Sequence, residues 1–268
     1  MRRFHAMDFS KDIIFVDSSG SCDQTNTVVT FFFGSSKIGG IPMGVVLYTG
    51  QSQDNYTSAF ELLKKLIGPN GFNGRGEPNV IMTDDSIAER KALQACFPKS
   101  TLLLCTFHIL QAVWRWLWNS SHQIHNNDRK HLINIFRKVM YATNEKECMK
   151  EMNNLKMDSC SKKYINYLNY VEKLWKRKTE WCLCFRSKLA IRGNNKNNIV
   201  EASIRVFKDI VLERCKAFNM CALADFISTV FERYHKVRLI NFANKRTTKN
   251  QLCYSKFVHA AKTLVIIS

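Results

Sequence analysis

Three short apolar runs crowd the first fifty residues, and they constrain most strongly what this chain can become. KDIIFVD (11–17), NTVVTFFFG (26–34) and GIPMGVVLYTG (40–50) are rich in β-branched and aromatic residues. Runs of that length, bounded by Gly and Ser, read as strands. SSGS follows the first, and the SSKIGG joint between the second and third predicts an antiparallel hairpin.

The pattern then alternates. DNYTSAFELLKKLIG (54–68) spaces Tyr56, Phe60, Leu63 and Ile67 as one helix face, stopped by Gly68-Pro69. GFNGRGEPN (71–79) is a loop, PNVIMTD (78–84) a strand, SIAERKALQACF (86–97) a helix ended by Pro98, and STLLLC (100–105) another strand. The order β-β-β-α-β-α-β predicts a mixed sheet with helices packed on it.

From Phe107 the character changes. HILQAVWRWLW (108–118) sets Ile109, Leu110, Val113, Trp114 and Leu117 on one face, so Trp114 is expected in the core. Trp116 and Trp118 are left for packing, for a partner surface, or for stacking on an unpaired base. Residues 128–185 continue with helical periodicity and many lysines. NNIVEASIRVFKDIVLERC (197–215) carries Val200, Ile204, Phe207 and Val211 on one stripe, and 221–245 reads as one more helix. The expected division is 1–106, the first part of a sheet core; 107–195, a helical insertion; 196–220, a helix returning to the sheet; and 221–268, a C-terminal helical tail.

Composition narrows the class. Of 268 residues 46% are apolar, and the chain has no low-complexity tract, which predicts a globular protein with a real core. TLLLC (101–105) and TLVII (263–267) are too short to cross a bilayer, and MRRFHAMDFSKD lacks an apolar signal core. An intracellular protein without a membrane partner is expected, its ten scattered cysteines mostly buried free thiols. The net charge of +18 is one-sided: residues 1–106 hold 10 Lys+Arg and 10 Asp+Glu, residues 107–268 hold 30 and 12. A field of that sign favours a polyanion, above all a nucleic acid backbone; the alternative is a solvated basic surface.

Three carboxylates stand where chemistry can use them. Asp17 closes the first strand, Asp84 closes the fourth, and Glu201 lies in the first turn of the 197–215 helix. Sheets of this kind collect functional groups at the carboxyl ends of their strands. Three convergent carboxylates suit Mg²⁺ or Mn²⁺, which prefer oxygen ligands. Each also has a plainer reading: Asp17 as a turn initiator before SSGS, Glu201 with Asn198 as a capping box. Ser86 and Glu89 form a similar capping pair at the next helix start, so the Asp84-Asp85 doublet is not needed as a cap. From the residues alone both readings stand.

The ordered set of motifs resembles the catalytic domain of Mutator-like (MULE) transposases, within the DDE transposases of RNase H-like fold. FVDSSGSCDQTN, GIPMGVVLYTG, IMTDDSIAERKAL…FP, LLCTFHILQAVWRWL and RGNNKNNIVEASIRVFKDIVLERCKAFN carry the resemblance, in order, across about residues 12–245. The resemblance implies that Asp17, Asp84 and Glu201 are the catalytic, metal-binding triad. Cys105 and His108 match the family's Cys-x-x-His element as auxiliary groups, and the helices before the glutamate match its insertion. It implies an enzyme that hydrolyses phosphodiesters with Mg²⁺ or Mn²⁺ and transfers DNA strands, with transposon-end and target DNA as partners and a homo-oligomer as a possible assembly. A transposase-derived, non-catalytic DNA-binding or regulatory protein is the alternative.

Two departures from the family pattern are noted. The first strand starts about ten residues from Met1, so no zinc-binding recognition module is expected before it. Cys253 and His259 alone do not make a SWIM-type finger, so a catalytic core is expected. Lys173, Lys176, Arg177, Lys178, Arg192 and Lys196 are the candidate DNA-backbone cations; KLWKRK (173–178) reads either as a nuclear import signal or as a solvated basic helix face, and a nuclear location is expected. Cys105 and His108 have metal-ligand spacing, but Cys182 and Cys184 complete a zinc half-motif only poorly, so zinc is not expected there.

Overall fold

A computed structural model describes residues 1–246. Cys253, His259 and the end of the NKRTTKN run (244–250) lie outside these residues. Two 3₁₀ turns, Arg2–Ala6 and Asp8–Lys11, lead into five strands: β1 (Ile13–Ser19), β2 (Val28–Ser36), β3 (Gly39–Tyr48), β4 (Val80–Thr83) and β5 (Thr101–Leu104). The strands form one mixed sheet in the order β3-β2-β1-β4-β5. β1-β2 and β2-β3 are antiparallel, the latter a hairpin as expected, while β1-β4 and β4-β5 are parallel.

Helices cover both faces. α1 (Gln53–Ile67) leads to a single turn, α2 (Gly71–Gly74), and α3 (Ile87–Cys96) joins β4 to β5. Side chains alternate across a strand, so Ile14 and Val16 face one side, where they pack with Phe60, Leu63, Leu93 and Phe97 of α1 and α3. Ile13 and Phe15 face the other and join Phe31, Phe33 and Met82. That second face is covered by α10 (Asn198–Val206), its π-helical continuation Phe207–Val211, α11 (Met220–Phe226) and the π turn Ile227–Phe231 that precedes α12 (Glu232–Ala243). Leu223, Ile227 and Phe231 are buried in this core, so the start of the segment expected as a tail is part of the sheet's cover.

Between β5 and α10 the chain is helical: α4 (Thr106–Trp118), α5 (Asn126–Tyr141), α6 (Glu145–Met157), α7 (Ser159–Lys162), α8 (Ile165–Trp175) and α9 (Lys178–Trp181). These helices bury a core of their own around Val113, Leu117, Phe136, Tyr167 and Trp181. Ile109, Val113 and Leu117 form the buried stripe of α4, one residue off Trp114. Trp114 is therefore turned about 100° out of the core, a correction to its expected burial. It is exposed and stacks on exposed Trp118 with ring centroids 3.6 Å apart. Trp116 stacks between His122 and Tyr170.

The nine described cysteines are free thiols, six of them buried. No helix among the described residues is long and apolar enough to cross a membrane.

Phe31 ties the α10 face together. It lies edge-on to Phe207 and Phe231, at centroid distances of 5.2 and 5.8 Å, and is fully buried. Phe31→Ala is expected to cost about 3–5 kcal/mol. In urea unfolding the midpoint should fall with little change in slope, and an unchanged midpoint would disprove this role.

Candidate metal centre

Asp17 and Asp84 are brought together by register. Ile13 pairs with Val80, Ile14 with Ile81 and Phe15 with Met82 in the parallel β1-β4 ladder. Carried two residues further, the same register sets Asp17 opposite Asp84, on strands about 4.8 Å apart. Asp17 follows Ile13 and Phe15 in alternation, and Asp84 follows Val80 and Met82, so both belong to the face covered by α10. β1 does not end at Asp17 as expected. It pairs with β2 through Ser19, with Asp17 opposite Phe31. The turn-initiator reading of Asp17 is thereby corrected: β2 outlasts β4 as a partner and holds Asp17 inside a strand.

Glu201 arrives from the covering helix. The start of α10 is held by Asn197, whose side chain donates to the carbonyl of Val16 at 3.2 Å, one residue before Asp17. The Asn197 backbone N–H donates to Cys105 Sγ at 3.2 Å, and Thr106 donates from both N–H and Oγ1 to the Asn195 carbonyl. Three separated segments are thus stitched at one point. The expected Asn198–Glu201 capping box does not form. Asn197 is the N-cap and its side chain caps no helix amide, because it is committed to β1. Glu201 is free of the cap and places Oε1 3.3 Å from Nε2 of His108.

The electrostatics follow from that convergence. Burial, then the neighbouring Asp84 and Glu201, raise the Asp17 carboxyl to about 7, while the Ser18 N–H that Asp17 Oδ1 accepts at 2.8 Å works the other way. His108 is raised to about 9, first by the Cys105 sulfur beside it, then by Glu201 and Asp84. Burial opposes ionisation of Cys105, but the His108 ring and the Asn197 N–H outweigh it and lower its thiol. The site therefore concentrates negative charge, with His108 as the positive group felt by Asp17. Hard oxygen donors that repel one another fit a divalent cation such as Mg²⁺ or Mn²⁺.

The donor atoms within 4.8 Å of one another at this centre are those of Cys105, His108 and Glu201, with Asp17 and Asp84 outside that group. The partner of Cys105 and His108 is Glu201 rather than Cys182 or Cys184, which pack in the helical core. The Asp84-Asp85 doublet divides. Asp84 Oδ1 accepts the Ser86 N–H at 3.2 Å, and Ser86 Oγ caps α3 as expected. Asp85 pairs with Arg177 at 2.9 Å.

The candidate cations separate in the same way. Arg177 is also held by Glu180 at 2.8 Å, and Arg192 by Asp12 at 2.5 Å. Lys178 lies over the Trp175 ring at 5.1 Å. Lys173, Lys176 and Lys196 are exposed, and Lys196 directly precedes Asn197.

Two residues of the site escaped sequence reasoning. Asn197, fully buried, has no periodic signal because it lies outside the helix. Glu89 was assigned to a capping pair, yet it is 1% exposed. Its carboxylate accepts from Ser18 Oγ at 2.6 Å on the α3 side of the sheet, and Ser18 Oγ is also 2.6 Å from Thr30 Oγ1. The available signal was its place on the stripe of Leu93 and Cys96, a charge on an apolar helix face.

Burial first, then Asp84 and Asp17, push the Glu89 carboxyl up to about 8. A folded-state pKa above the unfolded value means that the native state holds the extra proton. That contribution is whole below the ordinary Glu range and is lost as pH rises through about 8. Chelator-treated protein should accordingly lose thermal stability between pH 4.5 and about 8, the interval spanned by the two pKa values. Glu89→Gln should flatten the profile, and an unaltered slope would exclude Glu89 as its source.

Comparison with known proteins gives a family match over part of the chain. No curated protein matches the chain. The family model described as MULE transposase domain matches residues 23–112, a segment that runs from the β1-β2 loop into α4 and includes Asp84, Cys105 and His108. Over that segment the chain is similar to the MULE transposase domain.

Proposed function

We propose that this chain is the catalytic core of a Mutator-like DNA transposase with an RNase H-like fold, which cleaves DNA and transfers the cut strand. The observation that carries the reading is that Asp84 and Glu201, from distant segments, lie near enough to Asp17 to raise its carboxyl, with Glu201 3.3 Å from His108. The sheet order β3-β2-β1-β4-β5 with a late helix returning to one face supports the fold assignment. The helices between β5 and α10 are read as the insertion of about 107–195, and the protein as nuclear.

Asp17, Asp84 and Glu201 would hold Mg²⁺ or Mn²⁺, which would activate the attacking water or 3′-hydroxyl and stabilise the leaving oxygen. The protein's own part is positional. Register aligns the two aspartates, Asn197 sets the height of Glu201, and Asp17 must shed the proton it retains near neutrality to act as a ligand. His108, raised to about 9 and 3.3 Å from Glu201 as an ion pair, would add a positive charge where a phosphate would enter. Lys173, Lys176, Lys178 and Lys196 would contact the DNA backbone, with Arg177 and Arg192 able to do so only by leaving Asp85, Glu180 and Asp12.

A second reading, a non-catalytic DNA-binding derivative, draws on the span of the family match, which includes Asp84 but neither Asp17 nor Glu201. One experiment separates the two. Wild-type protein should nick supercoiled DNA with Mn²⁺, and Asp84→Asn and Glu201→Gln should lower the rate by at least about 10²-fold, the scale on which transition-state charge stabilisation operates. Equal nicking in all three defeats the catalytic reading. DNA affinity that falls with salt in all three, without nicking, establishes the second reading.

A further inference from the structure

The helical region carries a second group of metal-ligating side chains, distinct from the carboxylate centre. His131 on α5, Asp158 at the end of α6 and Cys160 on α7 bring a ring nitrogen, a carboxylate oxygen and a sulfur within 4.8 Å of one another. His131 Nε2 is 3.0 Å from Asp158 Oδ1. Asp158 is oriented from behind, because its Oδ2 accepts the Ser161 N–H at 2.8 Å and caps α7. That leaves Oδ1 turned toward the histidine. Asp128, one turn before His131 on α5, supplies another carboxylate beside Cys160. Its Oδ2 accepts from Tyr164 at 2.7 Å and lies 3.6 Å from Lys163 Nζ.

We propose that His131, Asp158 and Cys160 form a zinc site, with a fourth position filled by Asp128 or water, that pins α5 to the α6-α7 junction. A His–Asp ion pair and a helix cap explain two of the three residues but not the third. Cys160 adds the third donor, its sulfur lying within 4.8 Å of the His131 ring nitrogen and the Asp158 oxygen. Mixed nitrogen, oxygen and sulfur donors select Zn²⁺ over Mg²⁺, which takes oxygen alone, and tetrahedral Zn²⁺ needs no more than four donors. The Ser161 N–H on Asp158 and the Tyr164 hydroxyl on Asp128 are the outer contacts that hold such ligands in place. On binding, the Cys160 S–H bond breaks, a Zn–S bond forms and the proton passes to solvent, with no change of oxidation state.

The test uses Co²⁺ as a spectroscopic substitute and Zn²⁺ for stability, in a Cys105→Ser background that removes the sulfur at the other centre. One equivalent of Co²⁺ should give a thiolate-to-cobalt charge-transfer band, which Zn²⁺ displaces. Cys160→Ser should abolish the band. His131→Gln, at an exposed position where folding is not at stake, should weaken Zn²⁺ binding at least about tenfold. Zn²⁺ should also raise the melting temperature of the Cys105→Ser protein and leave that of the double variant unchanged. A missing band in Cys105→Ser, a band that survives Cys160→Ser, or His131→Gln binding as tightly as its parent would each overturn the proposal.

Discussion

Repulsion among carboxylates is the constraint on which the site depends. Burial, with Asp84 and Glu201 nearby, raises the proton affinity of Asp17, and left to themselves crowded carboxylates separate or protonate. The fold denies them the first choice. A parallel ladder fixes the two aspartates on neighbouring strands, and the Asn197 side chain, bonded to the carbonyl before Asp17, fixes the helix that carries Glu201. The cost shows as the proton held near neutrality by Asp17, and by Glu89 on the far side of the same strand end. A sheet core packed on both faces, with Phe31, Phe207 and Phe231 on one and Phe32, Phe60 and Phe97 on the other, supplies the burial that makes this tolerable.

The helical region is joined to the sheet by buried cations rather than by apolar packing alone. Arg186, 2% exposed, donates to the carbonyls of Leu104, Glu180 and Asn195. Arg90 reaches from α3 to Thr83 Oγ1, to the Leu103 carbonyl and to Glu180. Arg177 closes the set through Asp85 and Glu180. These guanidinium groups gather around the ends of β4 and β5, next to the candidate centre, so part of the charge excess in the second half of the chain is internal. Partly buried bidentate pairs of this kind specify geometry more than they add stability.

Much of the layout was legible in the sequence because it rests on period. The strands over 11–17, 26–34, 40–50, 78–84 and 100–105, the hairpin, and the helices over 54–68 and 86–97 follow from alternation, 3.6-residue spacing and Gly/Pro punctuation. Errors fell where a single residue's direction mattered. Trp114 sits one position off the Ile109–Val113–Leu117 stripe, and a window of five apolar residues on α4 does not say which hundred degrees of the helix the neighbours will bury. Asn198 and Glu201 have capping-box spacing, but the Asn197 side chain is bonded to β1, a partner 181 positions away. Glu89 has capping-box spacing too, and there Ser86 makes the cap while the carboxylate turns inward.

The sequence alone determined the mixed sheet, the break into helices near residue 107 and the surplus of positive charge beyond it, each a local property of composition, period or short spacing. Asp17, Asp84, Glu201, Cys105 and His108 stood out by the ordered resemblance to Mutator-like transposases. Only the tertiary structure decided that Asp17 lies within β1 rather than at its turn, that Asp85 belongs to Arg177, and that Asn197 and Glu89 flank the centre. It also decided that His131, Asp158 and Cys160 meet. The reason is that parallel pairing and helix docking join segments across long stretches of chain, and no local pattern records which segment will be the partner.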